Sequence, residues 1–348
     1  MKGNEALAEA AMRAGCRHFF GYPITPQTEI SAYLSKHMPK RGGTFLQAES
    51  EVAAINMVLG ASAAGVRVMT SSSSPGISLK SEGISYIAGC DLPAVIVNVQ
   101  RGGPGLGGIQ PSQADYFQAT RGLGHGDFHM IVLAPSTVQE VIDLTFEAFD
   151  MADLYRMPVI MLSDGILGQM MEPASFPEGT GRELPAKDWA VTGTQGKRKK
   201  NIVNSLYLQP EELEAKVMER YERYAEIQKN EQKCELFMMD DAEYVVVAYG
   251  ASARVAKNAI VAARAEGIKV GMIRPITLWP FPVDAIRAAT PNTKAFLTVE
   301  LSMGQMIEDV RLACECKKPV HLCNRTGGMI VKPQEVLAKI QEISGGAK

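Results

Sequence analysis

Short apolar runs alternate with helix-length segments over the first 170 or so residues. Asn4–Ala14, Thr28–His37 and Ser50–Ala64 carry the apolar spacing of helices. The middle of the third, Ala53 to Ala61, is apolar nearly all round, which predicts a buried helix. Strands are predicted at His18–Gly21, Thr44–Gln47, Arg67–Thr70, Ala94–Val99, Met130–Leu133 and Val159–Leu162. Runs apolar on both faces and separated by helices indicate a parallel sheet. Turn-forming residues follow the strand ends: Pro23 and Pro26, the Ser71–Ser74 run before Pro75-Gly76, and the stretch from Arg101 to Gly108. In open α/β sheets, ligands sit at such carboxyl-end loops.

From Glu172 to about Lys200 the pattern dissolves into Pro173, Pro177, Pro185 and scattered glycines, ending in the basic run Lys197–Lys200. Pro210 to Asp240 then reads as one long charged helix, opened by Pro210 with Glu211-Glu212 in its first turn. Its Glu/Lys/Arg pattern reads as a solvated face. A second α/β unit follows. It comprises strand Tyr244–Tyr249, helix Ala253–Glu266, strand Ile268–Ile273, helix Val283–Ala289, strand Ala295–Val299 and a last helix at Gln334–Ile343.

Composition narrows the function. Hydrophobic residues make up 46% and charged residues 21% of 348, an ordinary globular balance that excludes a disordered chain. The formal charge of −2 gives no basic excess for nucleic acid. No apolar run approaches the roughly 18 residues of a membrane helix. The start, Met1-Lys2-Gly3-Asn4-Glu5, has no signal-peptide core, so a cytoplasmic protein is expected. Six cysteines lack the tight C-x2-C run of a ferredoxin module; Cys314, Cys316 and Cys323 form only a loose cluster. No metal site is expected on this chain.

Gly103-Pro104-Gly105-Leu106-Gly107-Gly108 matches a dinucleotide-binding turn, but Pro104 constrains it and the next predicted strand ends in Ala134-Pro135-Ser136 rather than an acid. The polar residues at strand ends are more informative. Thr25 follows the first strand. Glu51 opens the most apolar helix, either as a buried functional carboxylate or as a charge complementing the helix dipole beside the cap Ser50. Arg101 ends an apolar strand and faces the glycine-rich loop, placed to hold an anion or to serve as a surface ion-pair partner.

At these residues the sequence resembles the alpha subunit of the 2-oxoacid:ferredoxin oxidoreductases. Tyr22-Pro23-Ile24-Thr25-Pro26 is similar to the family's substrate loop, and Glu49-Ser50-Glu51 with its Ala-rich helix to the segment of its cofactor-activating glutamate. Thr70–Gly76, Gln110–Asp115 and Ser163-Asp164-Gly165 also fit, as do Ala248–Arg254 and Arg274–Pro282 farther on. The resemblance implies a pyrimidine-type thiamine-diphosphate-binding parallel-sheet domain followed by a transketolase-C-like α/β domain. The parts would be residues 1–172, a connector and helix over 173–240, and residues 241–348.

It further implies that Glu51, with Glu49 as its rival, bonds the cofactor's aminopyrimidine nitrogen. Ile24 and Pro26 would line the cofactor, and Thr25 and Arg101 would hold the substrate carboxylate. The cofactor would be shared with a beta subunit that supplies the diphosphate side and its Mg2+. The [4Fe-4S] clusters would come from partner subunits, a gamma subunit and a ferredoxin-like subunit completing the complex. Ser163-Asp164-Gly165 lacks the first glycine of the family's metal motif, in keeping with that division. The implied reaction is coenzyme A-dependent oxidative decarboxylation of a 2-oxoacid, with electrons passed to ferredoxin. The stretch Asn201–Tyr207 most resembles subunits acting on branched-chain 2-oxoacids such as 3-methyl-2-oxobutanoate (ketoisovalerate), 2-oxoglutarate being the alternative. Arg121 is the candidate cation for a second substrate carboxylate. A nicotinamide-dependent dehydrogenase and a non-catalytic assembly subunit are the readings from other classes.

Overall fold

The computed structural model describes residues 1–345. The chain opens with α1 (Gly3–Arg13), β1 (His18–Gly21), α2 (Thr28–His37), β2 (Thr44–Gln47), α3 (Glu51–Ala63), β3 (Val68–Ser72), α4 (Ser74–Gly89) and β4 (Ala94–Gln100). A glycine-rich loop leads to α5 (Tyr116–Thr120), β5 (Ile131–Leu133), α6 (Val138–Tyr155), β6 (Pro158–Asp164) and α7 (Gly165–Gln169). The connector follows, then α8 (Pro210–Asn230) and β7 (Cys234–Phe237). The last part holds β8 (Tyr244–Ala248), α9 (Gly250–Ala265), β9 (Val270–Pro275), β10 (Thr277–Trp279) and α10 (Val283–Ala289). After these come β11 (Ala295–Glu300), α11 (Met306–Ala313), β12 (Val320–Asn324) and α12 (Pro333–Ile343).

Two sheets result. The larger runs β10-β5-β6-β4-β3-β1-β2 and the smaller β12-β11-β8-β9-β7. Both are parallel except for one antiparallel edge strand each, β10 on β5 and β7 on β9. Central strands such as β4 (Ala-Val-Ile-Val-Asn-Val-Gln) and β6 are buried at every position, as helices on both sheet faces require. Local sequence sets several helix starts: Ser50 and Thr137 accept hydrogen bonds from Ala53 and Glu140 backbone N–H groups at 3.1 Å each, and Pro210 occupies the first turn of α8.

The structure departs from the sequence expectations in several places. The charged helix ends at Asn230, and Cys234–Phe237 is a strand, because its partner β9 lies 35 or more positions onward and leaves no local trace. Nor is α8 solvated on every side: Arg220, Tyr224 and Ile227 are buried, and Arg220 and Arg223 grip Asp91 at 3.0 and 2.6 Å. Four elements went unpredicted by periodicity, namely α4, α6, α11 and β12, and β10 returns from the later part of the chain to complete the first sheet. Among the described residues no helix is long and apolar enough to cross a membrane.

Candidate functional site

The order β4-β3-β1-β2 sets four loop starts side by side at the carboxyl edge of the larger sheet. Thr25 arises after β1, Glu51 after β2, the Ser72–Ser74 hydroxyls at the end of β3, and Arg101 after β4. Parallel pairing with near-equal register is what turns residues scattered over 76 positions into one site.

The Thr25 loop is pinned from behind and open in front. Asn4 Nδ2 donates to the Pro26 carbonyl at 3.0 Å, and Gln27 Nε2 donates to the Tyr22 carbonyl at 3.3 Å. Gln27 Oε1 accepts from Ser71 Oγ at 2.6 Å, tying the loop to β3. Thr25 is exposed, Ile24 half-buried, and Pro26 buried against Gly165. The chain thus presents the Thr25 side chain on a fixed backbone.

Arg101 is 8% exposed. Its Nη1 donates to the Thr25 carbonyl and its Nη2 to the Leu106 carbonyl, both at 3.1 Å, while its Nε is buried with no partner. Its backbone N–H donates to Ser74 Oγ at 3.0 Å, and the Ser74 hydroxyl donates to Asp115 Oδ2 at 2.6 Å. Asn98 Nδ2 donates to the same Asp115 oxygen at 2.9 Å. Burial pushes the Asp115 carboxyl up, and these two bonds pull it back. The result is a guanidinium held in place with donor capacity left over, and an orphaned buried donor is costly unless something accepts from it.

Glu51 is the first residue of α3 and 6% exposed. Ser50 does the capping, so the Glu51 carboxylate is free of that duty, and among the described residues nothing donates a hydrogen bond to it. It faces Gly76 on α4. A Cβ at Gly76 would collide with Ser72 Oγ and sit 2.8 Å from Glu51 Oε1. The absence of a side chain there is what lets the carboxylate occupy its position. Ser72 and Ser73 Oγ are likewise buried without partners. Glu49, two residues before, is exposed.

One functional group escaped the sequence reading. Lys80, one helical turn after Gly76 on α4, is fully buried, its Nζ donating to Thr70 Oγ1 at 2.8 Å and to the Ser71 carbonyl at 3.1 Å. Burial pulls its ammonium down to about 7, opposed by the Glu51 carboxylate. The signal was the four-residue spacing from Gly76, legible only once α4 is known to be a helix.

Other expectations fare differently. Helix α3 is not buried all round: Ala54, Ile55, Val58 and Ser62 are covered, but Val52 and Asn56 are exposed and Ala53, Met57 and Ala61 are half-exposed. Leu46 on the edge strand β2 and Leu79 on α4 extend this uncovered face. The glycine-rich loop opens no helix; it closes on itself through Gly108 N–H to the Gly102 carbonyl at 2.9 Å, and Leu106 stands out to solvent. Arg121 lies apart from Glu51 and Arg101, paired with Asp309 at 2.8 Å. The Asp164 carboxylate caps α7, accepting from Ile166 and Leu167 N–H at 2.8 and 3.1 Å. Cys314 is buried, Cys316 exposed and Cys323 on β12; among the described residues no three ligands gather for a metal.

Comparison with known proteins adds a second line. Residues 9–240 match the family described as pyruvate flavodoxin/ferredoxin oxidoreductase, thiamine diphosphate-binding, and residues 242–336 match core domain II of pyruvate:ferredoxin oxidoreductase. The ketoisovalerate oxidoreductase subunit VorB of Methanothermobacter thermautotrophicus is 54% identical over 99% of this chain and 97% of its own. The structure of a 2-oxoglutarate:ferredoxin oxidoreductase from Magnetococcus marinus, with 2-oxoglutarate, coenzyme A and succinyl-CoA bound, superposes with a TM-score of 0.87 at 30% identity. That match covers 99% of this chain and 64% of that one. A split-gene transketolase, an inactive beta4 tetramer, matches 99% of this chain and 98% of its own at a TM-score of 0.62 and 16% identity, a likeness of fold alone.

Proposed function

The chain belongs to the 2-oxoacid:ferredoxin oxidoreductases and carries their thiamine diphosphate-binding domain, and from that premise we propose that it is the alpha subunit of a ketoisovalerate-oxidising complex. In this reading it provides the pyrimidine half of a cofactor site completed by a beta subunit. The observation that carries it is the position of Glu51: a buried carboxylate without a hydrogen-bond donor, cradled at Gly76, at the root of a helix whose apolar outer face is uncovered. A self-contained enzyme would cover Val52, Leu46 and Leu79 with its own chain, because exposed contiguous apolar surface marks an interaction site.

The residues present fit the pyrimidine ring: Glu51 for a ring nitrogen, Ile24 and Pro26 for its apolar contacts, and the unpartnered Ser72 and Ser73 hydroxyls for its polar edge. When bound, thiamine diphosphate supplies an electron sink for decarboxylation. Glu51 holds and returns the proton shared with the ring nitrogen. Arg101, through its unpartnered Nε, and the Thr25 hydroxyl hold the substrate carboxylate, a charge-assisted bond contributing about 1.5–3 kcal/mol. Mg2+ falls to the beta subunit, since the Asp164 carboxylate is engaged in capping α7. The [4Fe-4S] clusters, the gamma and ferredoxin-like subunits, and the coenzyme A and ferredoxin that complete the reaction belong to the rest of the complex. The division of the chain at residues 172 and 240 is part of the same reading.

Ketoisovalerate is favoured over 2-oxoglutarate by the higher identity to the ketoisovalerate subunit and by Arg121. A second carboxylate needs a cation, and Arg121 is committed to Asp309. The test is anaerobic purification of the tagged chain from its host with its partners, assayed for coenzyme A-dependent viologen reduction over a panel of 2-oxoacids. Turnover of 3-methyl-2-oxobutanoate above 2-oxoglutarate and pyruvate is expected. The reverse order overturns the substrate, and a chain that purifies alone without cofactor overturns the subunit role.

A further inference from the structure

Lys80 is a charged side chain at the centre of the first domain that the reading above leaves without work. It is wholly buried, yet bonded only to the Thr70 hydroxyl and the Ser71 carbonyl. An ammonium has three N–H donors, so one remains without a partner among the described residues. Burying a cation in this way is expensive and persists where something draws on it.

Its surroundings name what it acts on. On α3 the titratable residue is Glu51; β3 and β4 carry none. On α4 itself, Glu82 and Tyr86 bond one another at the surface at 2.6 Å. At the neighbouring strand ends, Asp115 is held by Ser74 and Asn98, and Asp164 by the start of α7. Glu51 is the charge that acts on the Lys80 ammonium. Gly76, which cradles the Glu51 carboxylate, and Lys80 share one face of α4, four residues apart. The seat of Lys80 also reaches the substrate loop, because Ser71 donates to Gln27 Oε1.

We propose that Lys80 is a positioning residue for Glu51: seated on Thr70 and Ser71 within β3, its charge sets the charge on the Glu51 carboxylate and so the pH range over which Glu51 exchanges its proton. The inference rests on the assignment of Glu51 to the pyrimidine ring. With burial holding Lys80 near 7, it is cationic on the acid side of neutrality and neutral on the alkaline side. A cation beside Glu51 keeps the carboxylate ionised, and its loss lets Glu51 take up a proton more readily. The coupling is therefore greatest below pH 7 and fades above it.

The test uses the assembled complex stripped of cofactor, in wild-type, Lys80→Met, Lys80→Arg and Glu51→Gln forms. Met matches the volume of Lys and removes the buried charge; Arg keeps a charge that does not titrate. Proton uptake or release on binding thiamine diphosphate is measured by calorimetry in buffers of different ionisation enthalpy, from pH 6 to pH 8.5. Turnover is measured over the same range. In Lys80→Met the number of protons exchanged should no longer change across neutrality, and the deficit in turnover at pH 6 should be about fivefold larger than at pH 8.5. Lys80→Arg should carry the acid-side behaviour of the wild type up to pH 8.5. A uniform loss across the range, or an unchanged proton count in Lys80→Met, overturns the proposal. Glu51→Gln separates the two ideas. If it turns over normally, the role of Glu51 falls; if it is inactive while Lys80→Met leaves the proton count and pH profile intact, the role of Lys80 alone falls.

Discussion

The two carboxyl edges of this molecule treat their buried polar groups in opposite ways. Where the smaller sheet meets the larger, every polar group has work. Gln113 donates to the Tyr249 carbonyl at 2.9 Å, and its Oε1 accepts from Ser252 Oγ at 2.6 Å and Leu301 N–H at 3.0 Å. Glu300, fully buried, accepts from Ser302 Oγ and from the N–H groups of Gln305, Met306 and Ile307 at 2.9–3.0 Å. At the β1–β4 edge, by contrast, Arg101 Nε and the Ser72 and Ser73 hydroxyls have no partner, and Glu51 receives no donor. Buried polar groups are normally satisfied, so the first edge is a joint and the second awaits something the chain does not contain.

The comparison can be broken at either edge. The largest expected effect is Glu51→Gln, which keeps shape and removes the acid: turnover of the complex should fall by about 10²–10⁴-fold with the denaturation midpoint nearly unchanged. Equal loss of stability and activity would move Glu51 to the structural side. Glu300→Ala should do the reverse, lowering stability by about 4 kcal/mol in chemical denaturation as four donors lose a charged acceptor.

Lys80→Met is expected to stabilise the fold, with a pH dependence that carries its sign. The folded-state value of about 7 lies below the ordinary lysine value, so between the two the unfolded chain binds more protons and wild-type stability rises with pH. Below pH 7 the penalty is full; above the ordinary lysine range it is gone. The gain in melting temperature from Lys80→Met should therefore be greatest at or below pH 7 and shrink towards pH 10. A gain independent of pH would mean that packing, not charge, is responsible. The smallest effect belongs to Arg121→Gln. A half-exposed pair with Asp309 contributes about 0–1 kcal/mol, and substrate preference should not change. A shift towards 2-oxoacids with one carboxylate would return Arg121 to the pocket.

Much of this was written locally. The six parallel strands of the larger sheet and helices α1 to α3 follow from apolar runs, because burial on both faces of a central strand imprints a pattern on adjacent residues. Thr25, Glu51 and Arg101 could each be singled out by their place just after such a run. Only tertiary structure decided the rest. Glu51 and Arg101 become neighbours through strand order, which no single segment encodes. The Ser50 cap and the Gly76 cradle separate a functional carboxylate from a capping one, and that distinction needs α4, a helix rich in Ser and Gly whose pattern is weak. Lys80 looks like any surface lysine in sequence and is fully buried in the fold. The strands β7 and β10 exist because distant partners accept them, and α3 is apolar on a face its own chain leaves bare. Periodicity reports that a residue will be covered; which surface covers it, and whether that surface belongs to the same chain, is settled by long-range packing.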